Sequence, residues 1–528
     1  MTVDEAGYEK LMEKAREISR KTHEPVSGIT LPADAIAKLR YRKVRPTKDI
    51  DKYHGRPVTA TVEAIWEGKD FDDVVHVGTE AAIILNRTNH YAESGGQVGD
   101  HGTIYGDVFD FGTIEARGYS GTESTGDCRF RVEDTQEFGD YILHIGRVIE
   151  GKLRVGDKVK VTVDLDRRRP TLANHTGTHL LNHALRAVIG DEVNQRGSLV
   201  ASDRLRFDFT CTHAMSAEEI EQAEALANAA IEKALAVHCD MVPLERAKQI
   251  HGLRAVFGER YPDPVRVVSI GPTIEELLAQ PDNPDWYDYS IELCGGTHLQ
   301  ATDEAQMLII ASEQALAAGI RRITALTGAA ASAAQIAAAN LEAKLKEAQE
   351  LEGEKLVGAF DALAEEFEHL TISATARHRL APLVESLRER VKSIRKQAQS
   401  AARRGVVEQA HEIVEEAAGA PIIVARLDHA DKETLLSAMD VIKAKCSESA
   451  AMLFAPDEEA GKVAIAAIVP GPLIEKGLKA GDWVRQAAKI CGGSGGGRPD
   501  MAQAGGKDPA RVRQAMHAAR DFAEEVLS

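Results

Sequence analysis

The sequence predicts a multidomain α+β protein in which a small β-barrel, an α+β domain, a helical linker and an α/β domain follow one another. Its 528 residues exceed by several-fold the length of about 150 residues expected for one domain. Short alternating apolar runs, broken by Gly and Asp, fill residues 56–165, whereas residues 333–404 carry apolar side chains at three- and four-residue steps. Charged residues (28%) and apolar residues (44%) are both near globular averages, so most of the chain should fold.

The first two segments are a helical start, residues 1–55, and the barrel, residues 56–165. In the start, "EAGYEKLMEKAREISRK" places Leu11, Met12 and Ala15 among charges, as in a surface helix. In the barrel, "VTATVEAIW", "EAAIILNRT" and "DKVKVTVDLD" alternate in the manner of half-buried strands. The stretch "YAESGGQVGDHG" between two of these runs predicts a glycine-bearing hairpin or loop.

Three further segments complete the predicted order. Residues 166–332 mix helical stretches such as "SAEEIEQAEALANAAIEKALAV" with strands such as "PVRVVSIG", which indicates an α+β domain. Residues 333–404 predict a helical linker with an oligomerising face, because their heptads are too short for a long coiled coil. Residues 405–528 alternate buried-strand runs such as "VAIAAIVP" with helices, which favours an α/β unit.

Charge and cysteine content limit the class of protein. The net charge of −18 argues against indiscriminate nucleic-acid binding, although basic clusters at 166–170 and 377–404 remain candidates for phosphate contacts. Six cysteines in so long a chain are no disulfide framework, which favours a reducing cytoplasm. The acidic start "MTVDEAGYEK" is not a signal peptide, and no apolar run reaches the roughly 18–20 residues of a membrane span.

Three histidines lie within "LANHTGTHLLNHAL". On a helix, His175 and His179 share one face with Cβ atoms about 6 Å apart, and two imidazoles at that spacing can converge on one ion. His183 lies about 12 Å along the axis from His175, so the three cannot share one tetrahedral site. Taken alone, the pair favours a partly buried helix whose histidines bond to neighbours, because a metal needs further donors.

The further donors are supplied by "ELCGGTH". Cys294 and His298 are again four positions apart, and the glycines between them favour a turn that approaches an ion closely. Two histidines, a cysteine and a third histidine suit Zn²⁺. A metalloprotease HExxH motif is excluded because Thr176 follows His175. With no Glu evident beside this metal, an ester is a more plausible substrate than an amide. Whether all four donors bind, making a closed structural site, stays open.

These motifs resemble a known family. "NHTGTHLLNHAL", "QRGSLVASDRLRFDF", "ELCGGTH" and "GIRRITALTG" resemble, in this order, the editing domain of alanyl-tRNA synthetase and its free-standing relatives, the AlaX proteins. "YAESGGQVGDHG" is similar to the loop of the barrel that precedes that domain. "GGSGGGRPDMAQAGG" resembles the glycine-rich motif of the synthetase's C-terminal DHHA1-type domain.

The resemblance implies Zn²⁺-dependent hydrolysis of mischarged Ser-tRNA(Ala) and Gly-tRNA(Ala). Because an alanine pocket rejects serine and glycine by only about 1–3 kcal/mol, a second hydrolytic sieve is needed. The family's ligands carry over to His175, His179, Cys294 and His298. Its pocket residues carry over to Gln195, Arg206, Asp208, Arg321 and Arg322, and we add as a hypothesis that Thr176 or Thr178 bonds a serine side chain. The alternative for the charged pocket residues is ordinary surface or packing charge.

The C-terminal domain is expected to contact tRNA through its glycine-rich loop, whose amides would face phosphates; the alternative is a flexible glycine loop. The predicted contacts are Gly492, Gly493, Gly495, Gly496, Gly497, Arg498, Gly505, Gly506 and Lys507, with Arg403 and Arg404 at the end of the helical linker.

The family's aminoacylation domain and tRNA-recognising helices, about four hundred residues, are expected to be absent, because none of that precedes "VDEAGYEKL", which resembles the family's segment just after it. The leading hypothesis is therefore a free-standing or split-off editing deacylase that does not aminoacylate. The alternative is a non-catalytic tRNA-binding or assembly subunit beside a separate catalytic chain, with a homodimer possible in either case. The related editing domain of threonyl-tRNA synthetase shares the two ligand pairs, but the glycine-rich domain favours the alanyl family.

Overall fold

The computed structural model describes residues 28–106, 128–256, 260–417 and 419–528. The chain divides into two units. The first contains the described residues up to Lys344 together with Glu365–Pro382, and the second contains Leu345–Ala364 together with Leu383–Ser528. The helix predicted from "EAGYEKLMEKAREISRK" lies outside the described residues.

The predicted barrel is confirmed. Its strands and neighbours are β1 (Val58–Trp66), β2 (Phe71–Asp72), β3 (Val74–His76), β4 (Glu80–Leu85), β5 (Gly102–Gly106), β6 (Arg129–Phe138), β7 (Tyr141–Glu150), β8 (Lys152–Arg154) and β9 (Lys158–Val163). Six of them close in the order β1-β4-β7-β6-β5-β9, because β9 pairs back onto β1 with Val58 opposite Val161. Closure leaves these strands no free edge.

Alternation along the strands fills the barrel and covers its outside. Ile83 and Leu85 of β4 face the interior, whereas Ile84 faces outward and packs with Trp66 against helix α1 (Ala33–Tyr41). The period of two therefore buries both faces of this strand.

An α+β region follows, again as predicted. Helix α2 (Leu165–Ile189) begins at Asp164, whose side chain accepts bonds from the amides of Asp166 and Arg167. Strands β10 (Gln195–Val200) and β11 (Leu205–Thr210) join two later strands in the antiparallel order β10-β11-β16-β15. Those later strands are β15 (Leu308–Ala317) and β16 (Ile320–Thr327), and α2 and α3 (Ala217–Glu232) pack with this sheet around one apolar core.

A second, three-stranded sheet lies in the same region. It consists of β12 (Val237–Val242), β13 (Val265–Ile270) and β14 (Ser290–Leu293), with the short helices α4 (Leu244–Ala247) and α5 (Ile274–Ala279). Strand β14 leads directly into the "CGGTH" turn, so it positions Cys294.

The predicted helical region is also confirmed, as α6 (Gly328–Gln349), α7 (Gly353–His369) and α8 (Ala374–Ala417). Arginines of α8 terminate the two shorter helices. Arg390 donates to the carbonyls of Gln349 and Leu351, and Arg377 donates to the carbonyl of Leu370 at the end of α7. Carbonyls at a helix end lack intrahelical donors, so these guanidinium groups satisfy them.

The C-terminal sheet is mixed, with the order β17-β18-β19-β21-β20, and only β17 and β18 run parallel. Its elements are β17 (Ile422–Arg426), α9 (Lys432–Lys445), β18 (Ala450–Asp457), β19 (Lys462–Ile468), α10 (Gly471–Glu475), α11 (Ala480–Ile490), β20 (Ser494–Gly497), β21 (Met501–Gly506) and α12 (Val512–Leu527). Among the described helices we find none that is both long and apolar enough to cross a membrane.

Candidate metal centre

The four predicted ligands lie together. One donor atom from each of His175, His179, Cys294 and His298 lies within 4.8 Å of the other three. Helix α2 supplies the first pair one turn apart, and the turn after β14 supplies the second. The three histidines are buried and the cysteine is half-buried. Segments more than a hundred residues apart in the chain therefore form one donor cluster.

His175 is oriented by the barrel loop. Its Nδ1 donates to Oε1 of Gln97 at 2.7 Å, which leaves Nε2 facing the Cys294 Sγ at 3.4 Å. Gln97 is fully buried, and its amide group also bonds the backbone N–H and the hydroxyl of Thr297. The side chain of Gln97 thus holds both halves of the donor set, and the sequence analysis missed it. Its only signal was its place in the loop "YAESGGQVGDHG".

The other two histidines each have an uncommitted nitrogen. Among the described residues, Nδ1 of His179 and Nε2 of His298 are buried without a hydrogen-bond partner. The opposite nitrogen of His298 lies 3.2 Å from the Thr176 hydroxyl, and Nε2 of His179 lies 3.8 Å from Oε2 of Glu292. The expectation that no Glu lies beside this cluster is therefore wrong, because β14 brings Glu292 to it.

The donor set fits a divalent metal of the Zn²⁺ type. Burial lowers the pKa of all three histidines, that of His179 to about 3, so each ring is neutral and able to ligate. Burial raises the pKa of the Cys294 thiol to about 12, a cost that a coordinated cation offsets. The turn leaves no space to spare, since a Cβ added to Gly296 would lie 2.0 Å from Cε1 of His175.

The predicted pocket residues lie on the four-stranded sheet. Asp208 accepts two bonds of 2.7 Å from Arg322 and lies 4.0 Å from Arg206. Arg321 pairs with Glu313 instead. Gln195 is the first residue of strand β10. The last residue of that strand, Val200, pairs with Gln97 of the barrel loop. Four of the five predicted residues therefore form ion pairs within the protein, which favours the packing alternative; their contact with substrate stays a prediction.

Both threonine hydroxyls are bonded within the protein. Thr176 accepts from the amide of Leu299 as well as contacting His298, and it is fully buried. Thr178 donates to the carbonyl of Asn174, one turn back along α2. These bonds favour a structural role for both residues, and a bond from either one to a serine side chain stays a prediction.

The basic clusters are partly used for bonds within each unit, although Arg167 and Arg169 of the 166–170 cluster are exposed. Arg168 of the 166–170 cluster is buried and donates to Asp100 and to the carbonyls of Lys52 and Asn89, so it cannot steer a substrate. Within 377–404, most arginines terminate helices or pair with acids, as Arg395 does with Asp361. Arg403 and Arg404 are exposed at its end.

The glycine-rich motif is a hairpin of strands β20 and β21, not a loop. Gly495 pairs with Ala504, and a Cβ added there would lie 2.2 Å from that alanine's Cβ. A Cβ at Gly493 would lie 1.8 Å from the carbonyl oxygen of Gly505. Close packing therefore requires glycine at these two positions, and the expectation of a flexible loop is wrong; contact between tRNA and the backbone of this motif stays a prediction. The remaining predicted residues of this motif are the exposed Gly492, Gly497, Arg498 and Lys507, the partly exposed Gly496 and the buried Gly506.

Three parts of the chain are similar to domains of aminoacyl-tRNA synthetases. Residues 1–167 match the family model described as tRNA synthetases class II (A). Residues 265–324 match the threonyl and alanyl tRNA synthetase second additional domain, and residues 419–525 match the DHHA1 domain.

The particular relatives are alanine--tRNA ligases. The cytoplasmic enzyme of Dictyostelium discoideum is 39% identical over 532 residues, covering 99% of this chain and 54% of its own length. The cytoplasmic enzyme of Bombyx mori is 36% identical, and the mitochondrial enzyme of Saccharomyces cerevisiae is 34% identical; each covers the whole of this chain. The chain spans about half the length of the curated relatives that it matches.

These matches correct the functional hypothesis. The class II synthetase model covers residues 1–167, so the expectation that this part of the family is absent is wrong. Relatives that match the whole chain are ligases, which contradicts both a free-standing editing deacylase and a non-catalytic assembly subunit. The expectation of no aminoacylation loses its basis, and neither a separate catalytic chain nor a homodimer gains support. The start of the chain was taken as the segment that follows the aminoacylation domain, whereas it matches the class II synthetase model.

Proposed function

We propose that this chain is part of an alanine--tRNA ligase and carries that ligase's hydrolytic editing site. The site would hold Zn²⁺ on His175, His179, Cys294 and His298 and cleave the ester of Ser-tRNA(Ala) and Gly-tRNA(Ala). The observation that carries the proposal is the convergence of these four donors from two distant segments. The match to the second additional domain and the names of the relatives support it. A cytoplasmic location is part of the proposal, because the relatives of Dictyostelium discoideum and Bombyx mori are named as cytoplasmic enzymes.

The chemistry follows from the donor set and its surroundings. When bound, Zn²⁺ supplies a Lewis acid that polarises an ester carbonyl or a water. The protein's own residues prepare the donors: Gln97 fixes the tautomer of His175, and Thr176 holds the ring of His298. Burial of the three rings keeps them unprotonated at neutral pH.

The direct test is deacylation of Ser-tRNA(Ala) and Gly-tRNA(Ala) by the full chain loaded with Zn²⁺. Cys294→Ala removes one donor and should slow the reaction by about 100-fold or more, beyond the 10–100-fold typical of an outer-shell residue. Cys446→Ala is the matched control, because that thiol lies in the second unit. Hydrolysis no faster than the spontaneous reaction, or equal rates for the two variants, would contradict the proposal.

We also propose that the C-terminal hairpin contacts tRNA. Arg498 and Lys507 are exposed at the two ends of the β20–β21 hairpin, and Arg498 forms a surface ion pair with Asp500 that a phosphate can replace. The glycines bring the backbone of this hairpin to the surface without side chains, which permits close approach of a ligand. Binding of tRNA(Ala) across a salt series measures this contact.

A further inference from the structure

The third histidine of α2, His183, contacts a buried arginine. Nδ1 of His183 accepts a bond from Nη2 of Arg254 at 3.2 Å. The backbone of Arg254 lies beside β14, because its N–H donates to Ile291 and its carbonyl accepts from Leu293. These two backbone hydrogen bonds form a β-bridge that pairs Arg254 with Glu292, the residue between Ile291 and Leu293. His183 therefore holds an arginine that stands next to the acid beside the donor cluster.

The carboxylate of Glu292 is held from several sides. Oε1 accepts from the Asn182 amide at 3.0 Å and from the Ser290 hydroxyl at 3.4 Å. Oε2 lies 3.8 Å from Nε2 of His179. Glu292 is only 8% exposed and Arg254 only 7%. A carboxylate this deeply buried needs a countercharge, and Arg254 supplies it.

We propose that Glu292 is a positioning residue for the metal centre, which acts through His179. With Nε2 of His179 facing Glu292, Nδ1 is the nitrogen left for the cation. The carboxylate fixes the ring and increases its basicity, as partners of ligand histidines do in metal sites. Asn182 and Ser290 in turn hold the carboxylate by hydrogen bonds, and Arg254, which donates to His183, places positive charge on the neighbouring strand position. This inference rests on the proposed metal centre.

The network also explains the spacing of the three histidines. The first two, at 175 and 179, face the donor cluster, and the third lies one further turn along α2, beside Asn182. One face of one helix therefore carries two ligands and, beyond them, the two residues that hold the supporting acid and its countercharge.

The test is the Zn²⁺ affinity of the full chain, measured by competition with a chromophoric chelator. Glu292→Gln keeps the size of the side chain and removes its charge, and it should weaken Zn²⁺ binding by about 10–100-fold. Asn182→Ala leaves the charge but loosens its support, so a smaller loss of about threefold is expected, on the order of one hydrogen bond. Glu224→Gln is the matched control, a partly buried carboxylate of the same region that accepts from the Ile310 amide.

Two further readouts separate positioning from structural support. The unfolding midpoint in excess chelator should remain similar for wild type and Glu292→Gln, whereas the absorption spectrum of the Co²⁺-loaded variant should change. Affinity within twofold of wild type for Glu292→Gln would overturn the inference and leave the metal centre standing. Absence of Zn²⁺ binding by wild type would overturn the metal centre and the inference together. A midpoint lowered in chelator, with an unchanged affinity for Asn182→Ala, would overturn the inference as well.

Discussion

At the scale of single residues, the ligand pairs were predictable and their supports were not. His175 and His179, like Cys294 and His298, are four positions apart, so local spacing alone placed each pair. Gln97 lies 78 positions from the histidine it contacts, and no short-range pattern connects them. Glu292 was not predicted, because the HExxH motif has its acid on the helix next to the first histidine, whereas in this fold strand β14 supplies the acid.

Gln97 gives the first prediction. Gln97→Leu removes the acceptor that fixes the tautomer of His175, so Zn²⁺ affinity should fall by about 10–100-fold. Gln97→Glu retains an acceptor for both His175 and Thr297 and should recover most of that loss. Chelator competition measures both. An affinity of Gln97→Leu equal to that of Gln97→Glu would show that the bond does not matter.

A buried histidine of the barrel gives a prediction of pH dependence. Burial lowers the pKa of His144 to about 4, while its ring contacts the Thr88 hydroxyl and the Ile83 carbonyl. In the unfolded chain its pKa is about 6.5, so between these values the unfolded state binds the extra proton. The contribution of His144 to stability is therefore complete above about pH 6.5 and is lost as the pH falls toward 4.

The measurement is urea unfolding at several pH values between 4 and 7. His144→Gln should show a shallower decline of the free energy of unfolding with falling pH, by about one proton taken up on unfolding. His76→Gln is the control, because that side chain is exposed on β3. Equal slopes in wild type and His144→Gln would contradict the assignment.

At the scale of elements, the barrel and the helices were predictable because their periods are regular. The glycine-rich motif was not. Clusters of glycine usually indicate turns, and the sequence therefore predicted a loop. In the fold, the same glycines allow β20 to approach β21 and helix α11. A Cβ added to Gly481 of α11 would lie 3.0 Å from the carbonyl oxygen of Gly497. Tertiary packing, which the sequence does not show, decided between loop and strand.

Two adjacent glycines test this explanation. Gly495→Ala places a methyl group 2.2 Å from the Cβ of Ala504 and should lower the free energy of unfolding by about 1–3 kcal/mol. Gly496→Ala should be nearly neutral, since its Cβ would meet only the end of the Arg485 side chain at 3.7 Å. Denaturant unfolding of the two variants side by side gives the comparison. Similar losses at both positions would argue for a loop-like role.

At the scale of the whole molecule, the order of the structural regions was predicted, but the function inferred from that order was wrong. The barrel, the second additional domain and the DHHA1 domain occur in the expected order. The inference of a separate editing protein failed because it assigned the start of the chain to the segment that follows the aminoacylation domain. The match of residues 1–167 to the class II synthetase model corrects it, and sequence spacing could not have supplied that comparison.

The proposed tRNA contact is a matter for the whole molecule, because the chain carries a net charge of −18. Arg498→Ala combined with Lys507→Ala should weaken binding of tRNA(Ala) and reduce the slope of log affinity against log salt by up to about two. Lys432→Ala combined with Lys443→Ala is a charge-matched control on α9, where both side chains are exposed. Filter binding across a salt series measures the slopes. Equal slopes for both pairs would remove the hairpin from the interface.

The reach of Gln97 from the barrel loop into the donor cluster matters for anyone who wishes to transplant this centre. A graft cut at the borders of the α+β region would carry every ligand and still leave His175 with its outer nitrogen unbonded. A chimera that also includes residues 86–101 would contain Gln97, and with it the side-chain amide that bonds His175.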